Sequence, residues 1–195
     1  LLVRKRRGVE LTAAGTAHAN RLPVLLIAGD TFANRLPDPV LQQVEHYNNP
    51  TVTVNDAFKA VTRYWDRITH PAQIIASLPQ AVGAMLDPAD CGPAFIALPQ
   101  DTQELAFDYP AVFFEDRVWA IPRPRPDRKA VAAAAALLKT AKKPLIIAGG
   151  GARYSGAEAA VAKFAAERGI PVVETIAGKG GLTHYHPVHA GPIGI

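Results

Sequence analysis

Three consecutive glycines, Gly149–Gly151, stand between an apolar run and an alanine-rich stretch. Because glycine has no Cβ, the backbone can turn tightly there, and a ligand of a parallel sheet would bind beside such a turn. The dinucleotide fingerprint G-x-G-x-x-G is incomplete, since Tyr154 occupies the position of its third glycine. The pattern therefore favours a tight turn without a ligand and leaves a nucleotide site as the alternative.

Histidines and a single cysteine are the other residues that could do chemistry. His184, His186 and His189 lie in a proline- and glycine-containing loop and could chelate a metal ion, but no cysteine or carboxylate stands beside them. The cysteine, Cys91, has no acidifying neighbour and precedes an apolar run, which indicates a small core or turn residue rather than a nucleophile. One cysteine excludes an internal disulfide and is typical of a reducing compartment, so we expect a cytoplasmic protein.

The elements around the glycines form a strand–helix–strand pattern. The run Pro144–Ala148 is short and continuously apolar, as in a strand buried on both faces. Ser155 is a candidate N-cap for a helix over Ala157–Arg168 with Val161, Phe164 and Ala165 on its apolar face, and Gly169 ends that helix. Ile170–Thr175 begins the next strand. This βαβ unit predicts a parallel sheet.

The first half of the chain shows the same alternation of strands and helices. Pro79 must kink or interrupt its longest helix, and periodicity does not decide between strand and helix for one segment. The predicted elements are helix Leu11–Ala19, strand Pro23–Ala28, helix Val40–Tyr47, the undecided Phe58–Trp65, helix Pro71–Leu86 and strand Gly92–Leu98. Both halves therefore predict α/β architecture.

Composition and charge divide the chain further. A proline-rich stretch, Ile121–Pro126, must be extended, so residues 104–126 are predicted to link segments 11–103 and 127–195. The net charge of +4 equals that of the block Arg4–Arg7, and residues 1–10 are predicted to be a disordered leader. A hydrophobic content of 49% indicates a packed core, while no apolar run is long enough to cross a bilayer. We expect neither nucleic-acid nor membrane binding.

Three runs, Thr12–Asp30, Asp87–Gln103 and Arg123–Gly181, together resemble thiamine-diphosphate enzymes of the acetolactate synthase type. Gly92-Pro93 with Pro99–Gln103 is similar to the last strand of the pyrimidine-binding domain, and Arg123–Asp127 to the start of the central domain. The resemblance implies Rossmann-like layers: part of a pyrimidine-binding domain, then part of a central domain, as an internal fragment. It also implies thiamine diphosphate and magnesium in the intact family, and homo-oligomers that share active sites.

Within that family, Asn20–Pro23, Pro37–Glu45 and Arg63–Ile68 are most similar to the trihydroxycyclohexane-1,2-dione acylhydrolase subgroup of inositol catabolism. That similarity implies a small-molecule substrate, a cyclic 1,2-dione whose C–C bond is hydrolysed to give a 5-deoxy-glucuronate. The alternatives are an acetolactate synthase-like pyruvate enzyme and a non-catalytic nucleotide-binding or assembly module. The resemblance implies cofactor or substrate contacts at Asn34, Gln42, Gln43 and Phe58, and, as in the relatives that bind FAD or ADP in this domain, cofactor contacts at Gly149, Gly150 and Gly151.

Two catalytic features of that family are missing from this chain. The only carboxylate before the first predicted helix is Glu10, which is out of place for the family's catalytic glutamate and is expected to be solvated. Gly29-Asp30 with Asn48-Asn49 imitates the family's Gly-Asp-Gly…Asn-Asn metal motif, but Thr31 replaces the second glycine, so Asp30 is predicted to be a strand-end residue. We therefore assign no catalytic residue and no metal ligand, and expect the chain alone to be inactive without bound cofactor.

Overall fold

The computed structural model describes residues 7–34, 46 and 48–194, and shows two parallel three-stranded sheets flanked by helices. The α/β architecture predicted from the sequence is thus confirmed. The chain divides into two compact units, unit 1 (Leu1–Ile121) and unit 2 (Pro122–Ile195). This division falls within the stretch predicted as a linker, whose bounds stay a prediction. None of the helices described here combines the length and the apolar character that a membrane span requires.

Unit 1 is built around a sheet of strand order β1-β3-β2. Its elements are helices α1 (Arg7–Ala19), α2 (Ile74–Met85) and α3 (Gln100–Gln103), strands β1 (Leu25–Asp30), β2 (Tyr64–Arg67) and β3 (Ala94–Pro99), and 3-10 turns Val54–Val61, Pro71–Gln73 and Ala111–Phe114. In the register of the sheet, Asp30 pairs with Pro99 and Arg67 with Ala97, so the carboxyl ends of all strands meet at one edge.

The central strand β3 carries the core of unit 1 on both faces, as its continuous apolar run predicts. On one face Phe95 stacks between Phe58 and Trp65, with ring centroids 4.4 and 6.4 Å away. On the other face Ile96 packs with Ile68 and the residues of α2. This packing fixes the sheet and with it the position of its carboxyl edge.

Several elements of unit 1 differ from their predictions. Helix α1 begins at Arg7, so residues 7–10, which were predicted to belong to a disordered leader, are helical; Glu10 lies in its first turn, where the helix dipole favours a carboxylate. Phe58–Trp65 is neither one strand nor one helix but a 3-10 turn followed by the start of β2. Helix α2 continues through Pro79. The predicted helix Val40–Tyr47 lies outside the described residues except for His46, which is not helical.

Unit 2 contains a second parallel sheet, of order β4-β5-β6. Its elements are helices α4 (Arg128–Thr140), α5 (Gly150–Tyr154) and α6 (Glu158–Arg168), strands β4 (Ile146–Ala148), β5 (Val172–Glu174) and β6 (His189–Pro192), and a 3-10 turn Ile176–Gly178. Its core joins Ala148, Ala165, Val172 and Leu182. Gly169 ends α6 with φ +64°, the left-handed conformation that its sequence position predicts.

Unit 2 differs from its sequence-based predictions at Ser155, in the exposure of β4 and α6, and in having the strand β6. Ser155 does not cap α6; it ends α5, and its hydroxyl donates to the carbonyl of Gly151 at 2.7 Å. Ile147 is 58% exposed and Phe164 40% exposed, so β4 is not buried on both faces and the predicted apolar face of α6 is only partly covered. Strand β6 had no sequence signal, because its run His189–Pro192 contains glycine and proline, which strands usually lack.

Candidate functional site

The carboxyl edge of the unit 1 sheet carries a buried ion pair. Asp30 and Arg67 are the last residues of β1 and β2, and the end of β3 lies between them. The Arg67 Nε donates to Asp30 Oδ2 at 2.6 Å, and the Asp30 side chain is completely buried. Ligands of open α/β sheets bind at this edge, so the pair lies where a functional site is expected.

The remaining donors of Arg67 reach the chain where it returns toward the sheet. Nη1 donates to the carbonyl oxygen of Thr51 at 3.0 Å, and Nη2 donates to Thr53 Oγ1 at 2.8 Å and to Asp56 Oδ2 at 2.7 Å. Asp56 also accepts from the backbone N–H of Thr53 at 2.8 Å, forming a capping box with Thr53. One guanidinium therefore ties the end of β1 to the segment that begins the Val54–Val61 turn.

The charges in this network stabilise one another. Burial alone would raise the pKa of Asp56, but hydrogen bonds from Lys59, from the Thr53 backbone and from Arg67 hold that pKa well below its usual range. Burial alone would lower the pKa of Arg67, but the carboxylates of Asp30 and Asp56 outweigh it and raise that pKa. Asp56 and Arg67 therefore stay ionised near neutral pH, and each of these two charges faces an opposite one.

Trp65 connects this ion network to the core. Lys59 Nζ lies 4.2 Å and the Arg67 guanidinium carbon 4.9 Å from the centroid of its ring, and its indole N–H donates to the carbonyl of Asn55 at 3.0 Å. Asn55 is fully buried and donates through Nδ2 to the carbonyl of Gly29 at 2.9 Å, while its Oδ1 has no partner. The chain after Thr53 is thus attached to β1 by a neutral contact as well as by ions.

Asp101, in α3, holds the chain where it leaves β1. Its carboxylate accepts from the backbone N–H groups of Ala33 and Asn34, each at 2.9 Å. It also accepts from the N–H of Thr102 at 3.1 Å. The turn 31–34 is therefore fixed at the same edge as the ion pair.

The structure separates the cofactor contacts that the resemblance implied in unit 1. Asn34 lies at the carboxyl edge, in the turn that Asp101 holds. Phe58 is 1% exposed and stacks on Phe95, so its ring is part of the core and presents no surface to a ligand. Gln42 and Gln43 lie outside the described residues. Sequence reasoning missed Arg67 and Asp101. Asp101 lies three residues after the predicted strand Gly92–Leu98, a position that could have identified it, whereas Arg67 follows the segment Phe58–Trp65, for which periodicity did not decide between strand and helix.

The glycines of unit 2 form a tight turn. Gly149 is the N-cap of α5, and a Cβ on Gly150 would lie 3.3 Å from the Tyr154 ring and 3.4 Å from the Cβ of Ala177. The closest approach involves Gly178: a Cβ there would lie 2.2 Å from the carbonyl oxygen of Ala148. The turn is packed against neighbouring residues, and Gly178 is the glycine on which this packing depends most. Ligand binding by Gly149–Gly151 stays a prediction.

A buried carboxylate organises the loop that follows. Glu174, at the end of β5, accepts from the N–H groups of Gly180 at 3.1 Å and Leu182 at 2.7 Å. The Nε2 of His189 lies 3.4 Å from its Oε2. Burial alone would raise the pKa of Glu174, but these hydrogen bonds and His189 lower it. Among the described residues no group of histidine, cysteine and carboxylate side chains is placed to hold a metal ion.

The lowered pKa of Glu174 makes the stability of unit 2 depend on pH. A carboxylate whose pKa is lower in the folded state stabilises it above the unfolded pKa, about 4.3, and loses that contribution as pH falls. We expect Glu174→Gln to lower the free energy of unfolding by about 1–3 kcal/mol at pH 7 and by much less at pH 3. Urea unfolding at both pH values measures this. Glu167→Gln, at a residue whose side chain is 58% exposed, should change little; an equal loss at pH 7 and pH 3 for Glu174→Gln would contradict the prediction.

Cys91 and Glu10 complete the candidates from the sequence. The Cys91 thiol donates to the carbonyls of Met85 at 3.0 Å and Arg21 at 3.3 Å, and burial raises its pKa, so it has the properties of a turn residue rather than of a nucleophile.

Glu10 was expected to be solvated, but it is half-buried and its Oε1 is shielded from solvent without a partner. The side of α1 that packs on the core through Leu11 and Ala14 explains this burial.

Comparisons with known proteins agree with this architecture. Residues 131–195 match the family model of the thiamine pyrophosphate enzyme central domain. A 3D-(3,5/4)-trihydroxycyclohexane-1,2-dione hydrolase from Geobacillus thermodenitrificans is 48% identical over 185 residues, which are 95% of this chain and 29% of that protein. Proteins of the same name from Clostridium tetani and Bacillus cereus are 48% and 46% identical over the same shares. The chain thus spans less than a third of the length of these relatives.

A solved structure also has this fold. The X-ray structure of a thiamin diphosphate-dependent enzyme from Mycobacterium smegmatis superposes with a TM-score of 0.74 and 24% identity, covering 100% of this chain and 35% of that one. At this identity the likeness concerns the fold alone. The chain is therefore similar over residues 131–195 to the thiamine pyrophosphate enzyme central domain, and over nearly its whole length to the 3D-(3,5/4)-trihydroxycyclohexane-1,2-dione hydrolases.

Proposed function

We propose that this chain is part of a thiamine-diphosphate-dependent hydrolase that cleaves a C–C bond of trihydroxycyclohexane-1,2-dione. The observation that carries the proposal is the identity of 48% along 95% of the chain with proteins named for that reaction. That similarity favours the dione over pyruvate, the substrate of the alternative enzyme. The proposal includes the ring-opened 5-deoxy-glucuronate as product, a role in inositol catabolism, a homo-oligomer and a cytoplasmic location.

The carboxyl edge of unit 1 fits one part of the cofactor. Asp30, Arg67, Asp56 and Lys59 are already paired with one another, and Asp101 is satisfied by backbone N–H groups. No group of metal-binding side chains occurs in the described part of the chain. Since these described charges are all paired, the edge they form suits a neutral aromatic ring such as the aminopyrimidine of thiamine diphosphate better than its diphosphate. In this proposal, parts of the protein outside this chain hold the diphosphate and its magnesium ion.

The residues of this chain then bind and orient rather than react. The cofactor supplies the carbanion-stabilising chemistry when it is bound. Asp101 holds the turn 31–34, and Arg67 holds the segment 51–56, so that both present fixed backbone at the edge. In unit 2, Glu174 and Gly178 fix the loop after β5. No described residue is assigned a proton transfer.

The test uses the full-length protein that contains this sequence. Isothermal titration calorimetry with thiamine diphosphate and Mg²⁺ measures cofactor binding, and product analysis follows trihydroxycyclohexane-1,2-dione and pyruvate in parallel. We expect micromolar cofactor binding and consumption of the dione only. Turnover of pyruvate instead would establish the alternative enzyme. Absence of cofactor binding, with binding of ADP or FAD that Gly150→Asp abolishes, would establish the nucleotide-binding module.

A further inference from the structure

The Arg67 side chain joins two parts of unit 1 that are distant in sequence. Its Nε contacts Asp30, 37 residues earlier, while its Nη atoms contact Thr51, Thr53 and Asp56. These contacts bring the end of β1 and the start of the Val54–Val61 turn to the same point of the sheet edge. No other side chain described in unit 1 hydrogen-bonds to both of these parts through charged groups.

The opposite part of the edge is held independently. The Asp101 carboxylate accepts hydrogen bonds from the N–H groups of Ala33 and Asn34, shortly after the end of β1. The chain is thus fixed both where it leaves the sheet, at residues 30–34, and where it returns, at residues 51–56. Among the described residues, the Arg67 side chain joins the end of β1 directly to the segment 51–56.

Arg67 itself is not free to bind an anionic ligand. Two carboxylates neutralise it, and its side chain is only 18% exposed. A guanidinium is planar and presents its donors in a fixed fork, so its hydrogen bonds impose geometry as well as attraction. A group that is neutralised, half-buried and rigid acts through the positions of the residues it holds.

We propose that Arg67 is a positioning residue for the cofactor-binding edge, setting the distance between the turn 31–34 and the segment 51–56. The proposal rests on the proposed function and adds to it the residue whose hydrogen bonds fix the shape of the binding edge. Lysine cannot replace it fully, because the donors of an ammonium all lie on one nitrogen. Arg67 reaches Asp30, Thr51 and Asp56 from three separate nitrogens. Arg67→Lys should therefore lose part of the hydrogen-bond network although it keeps the positive charge.

The experiment measures the Kd of thiamine diphosphate, with Mg²⁺ present, by calorimetry on the full-length wild-type protein and its variants. Arg67→Met should weaken binding about tenfold or more, and Arg67→Lys should lie between it and the wild type. Hydrogen exchange at the amides of Thr31 and Thr53, which donate to the Asp30 and Asp56 carboxylates that Arg67 contacts, should accelerate in both. This second readout follows the geometry of the edge without any ligand.

Two controls separate positioning from stability. Arg63→Met removes the same charge at the opposite end of β2, where Arg63 pairs with the 63% exposed side chain of Asp90. Ile96→Val destabilises the core without touching the edge. Both should keep the Kd within about twofold of the wild type.

The outcomes distinguish the two proposals. If the wild type binds no cofactor, the proposed function fails and takes this inference with it. If the wild type binds and both Arg67→Lys and Arg67→Met bind as tightly as the wild type, only the inference is overturned. It is also overturned if Ile96→Val weakens binding as much as Arg67→Met does. Should Arg67→Met not fold, Arg67→Lys decides: an unchanged Kd and unchanged exchange overturn the inference.

Discussion

Replacing Gly178 by alanine is expected to destabilise unit 2 strongly. The new Cβ would lie 2.2 Å from the carbonyl oxygen of Ala148 and 3.0 Å from the Cα of Gly149. Both are backbone atoms, and Ala148 also accepts the N–H of Thr175, so neither can move without disturbing the junction of β4 and β5. Overpacking against rigid neighbours costs 1–3 kcal/mol and occasionally more, and we expect about 3 kcal/mol or more here.

Gly151→Ala is the matched control for Gly178→Ala. A Cβ at Gly151 meets nothing within 4 Å, and the residue lies inside α5. Alanine in a helix is favoured over glycine by about 0.5–1 kcal/mol, so this variant should be neutral or slightly stabilised. Urea unfolding of both variants, followed by far-UV circular dichroism, measures the difference. Equal midpoints for Gly151→Ala and Gly178→Ala would show that the Ala148–Gly178 approach does not constrain the unit.

The sequence predicted the elements whose signal is local. The continuous apolar run around Phe95 and Ile96 gave a buried parallel strand, and Gly169 marked the end of α6. An aspartate directly before an alanine-rich run is typical of an N-cap, and the Asp127 carboxylate accepts from the N–H of Ala130 at 2.8 Å at the start of α4. In each case the residues that define the feature lie within a few positions of one another. Local propensity and burial pattern are enough for such elements.

The candidate site could not be predicted in the same way, because its contacts join distant residues. Arg67 and Asp30 are separated by 37 positions and Asp101 and Ala33 by 68, and neither spacing follows from a helical or strand period. The prominent glycines, Gly149–Gly151, drew attention to unit 2, whereas the glycine with the closest backbone contact is Gly178. A motif can be read from spacing, but a contact between loops depends on the tertiary structure that brings them together.

Replacing Asp30 by asparagine is expected to give the second large loss, at the carboxyl edge of unit 1. The substitution keeps the shape of the side chain but removes the charge that faces Arg67 at 2.6 Å inside the protein. The asparagine amide has one oxygen, so it can accept from Arg67 or from the Thr31 N–H, and its N–H₂ then faces the other donor, which loses its partner. Asp56 still faces Arg67 at 2.7 Å, so the loss stays below the cost of about 3–5 kcal/mol for a buried charge left alone. We expect about 1–3 kcal/mol, the cost of leaving a buried donor unpaired. Urea unfolding at pH 7 measures the loss.

Asp90→Asn is the control for Asp30→Asn, because it removes the same charge from another arginine–aspartate pair of the same unit. Asp90 lies 3.1 Å from Arg63, but its side chain is 63% exposed, so water compensates the remaining charge. Exposed pairs contribute about 0–1 kcal/mol, and this variant should unfold close to the wild type. A loss below about 1 kcal/mol for Asp30→Asn as well would mean that water reaches Arg67 readily. The edge would then be too loosely held to position a ligand, and the role inferred for Arg67 would fail with it.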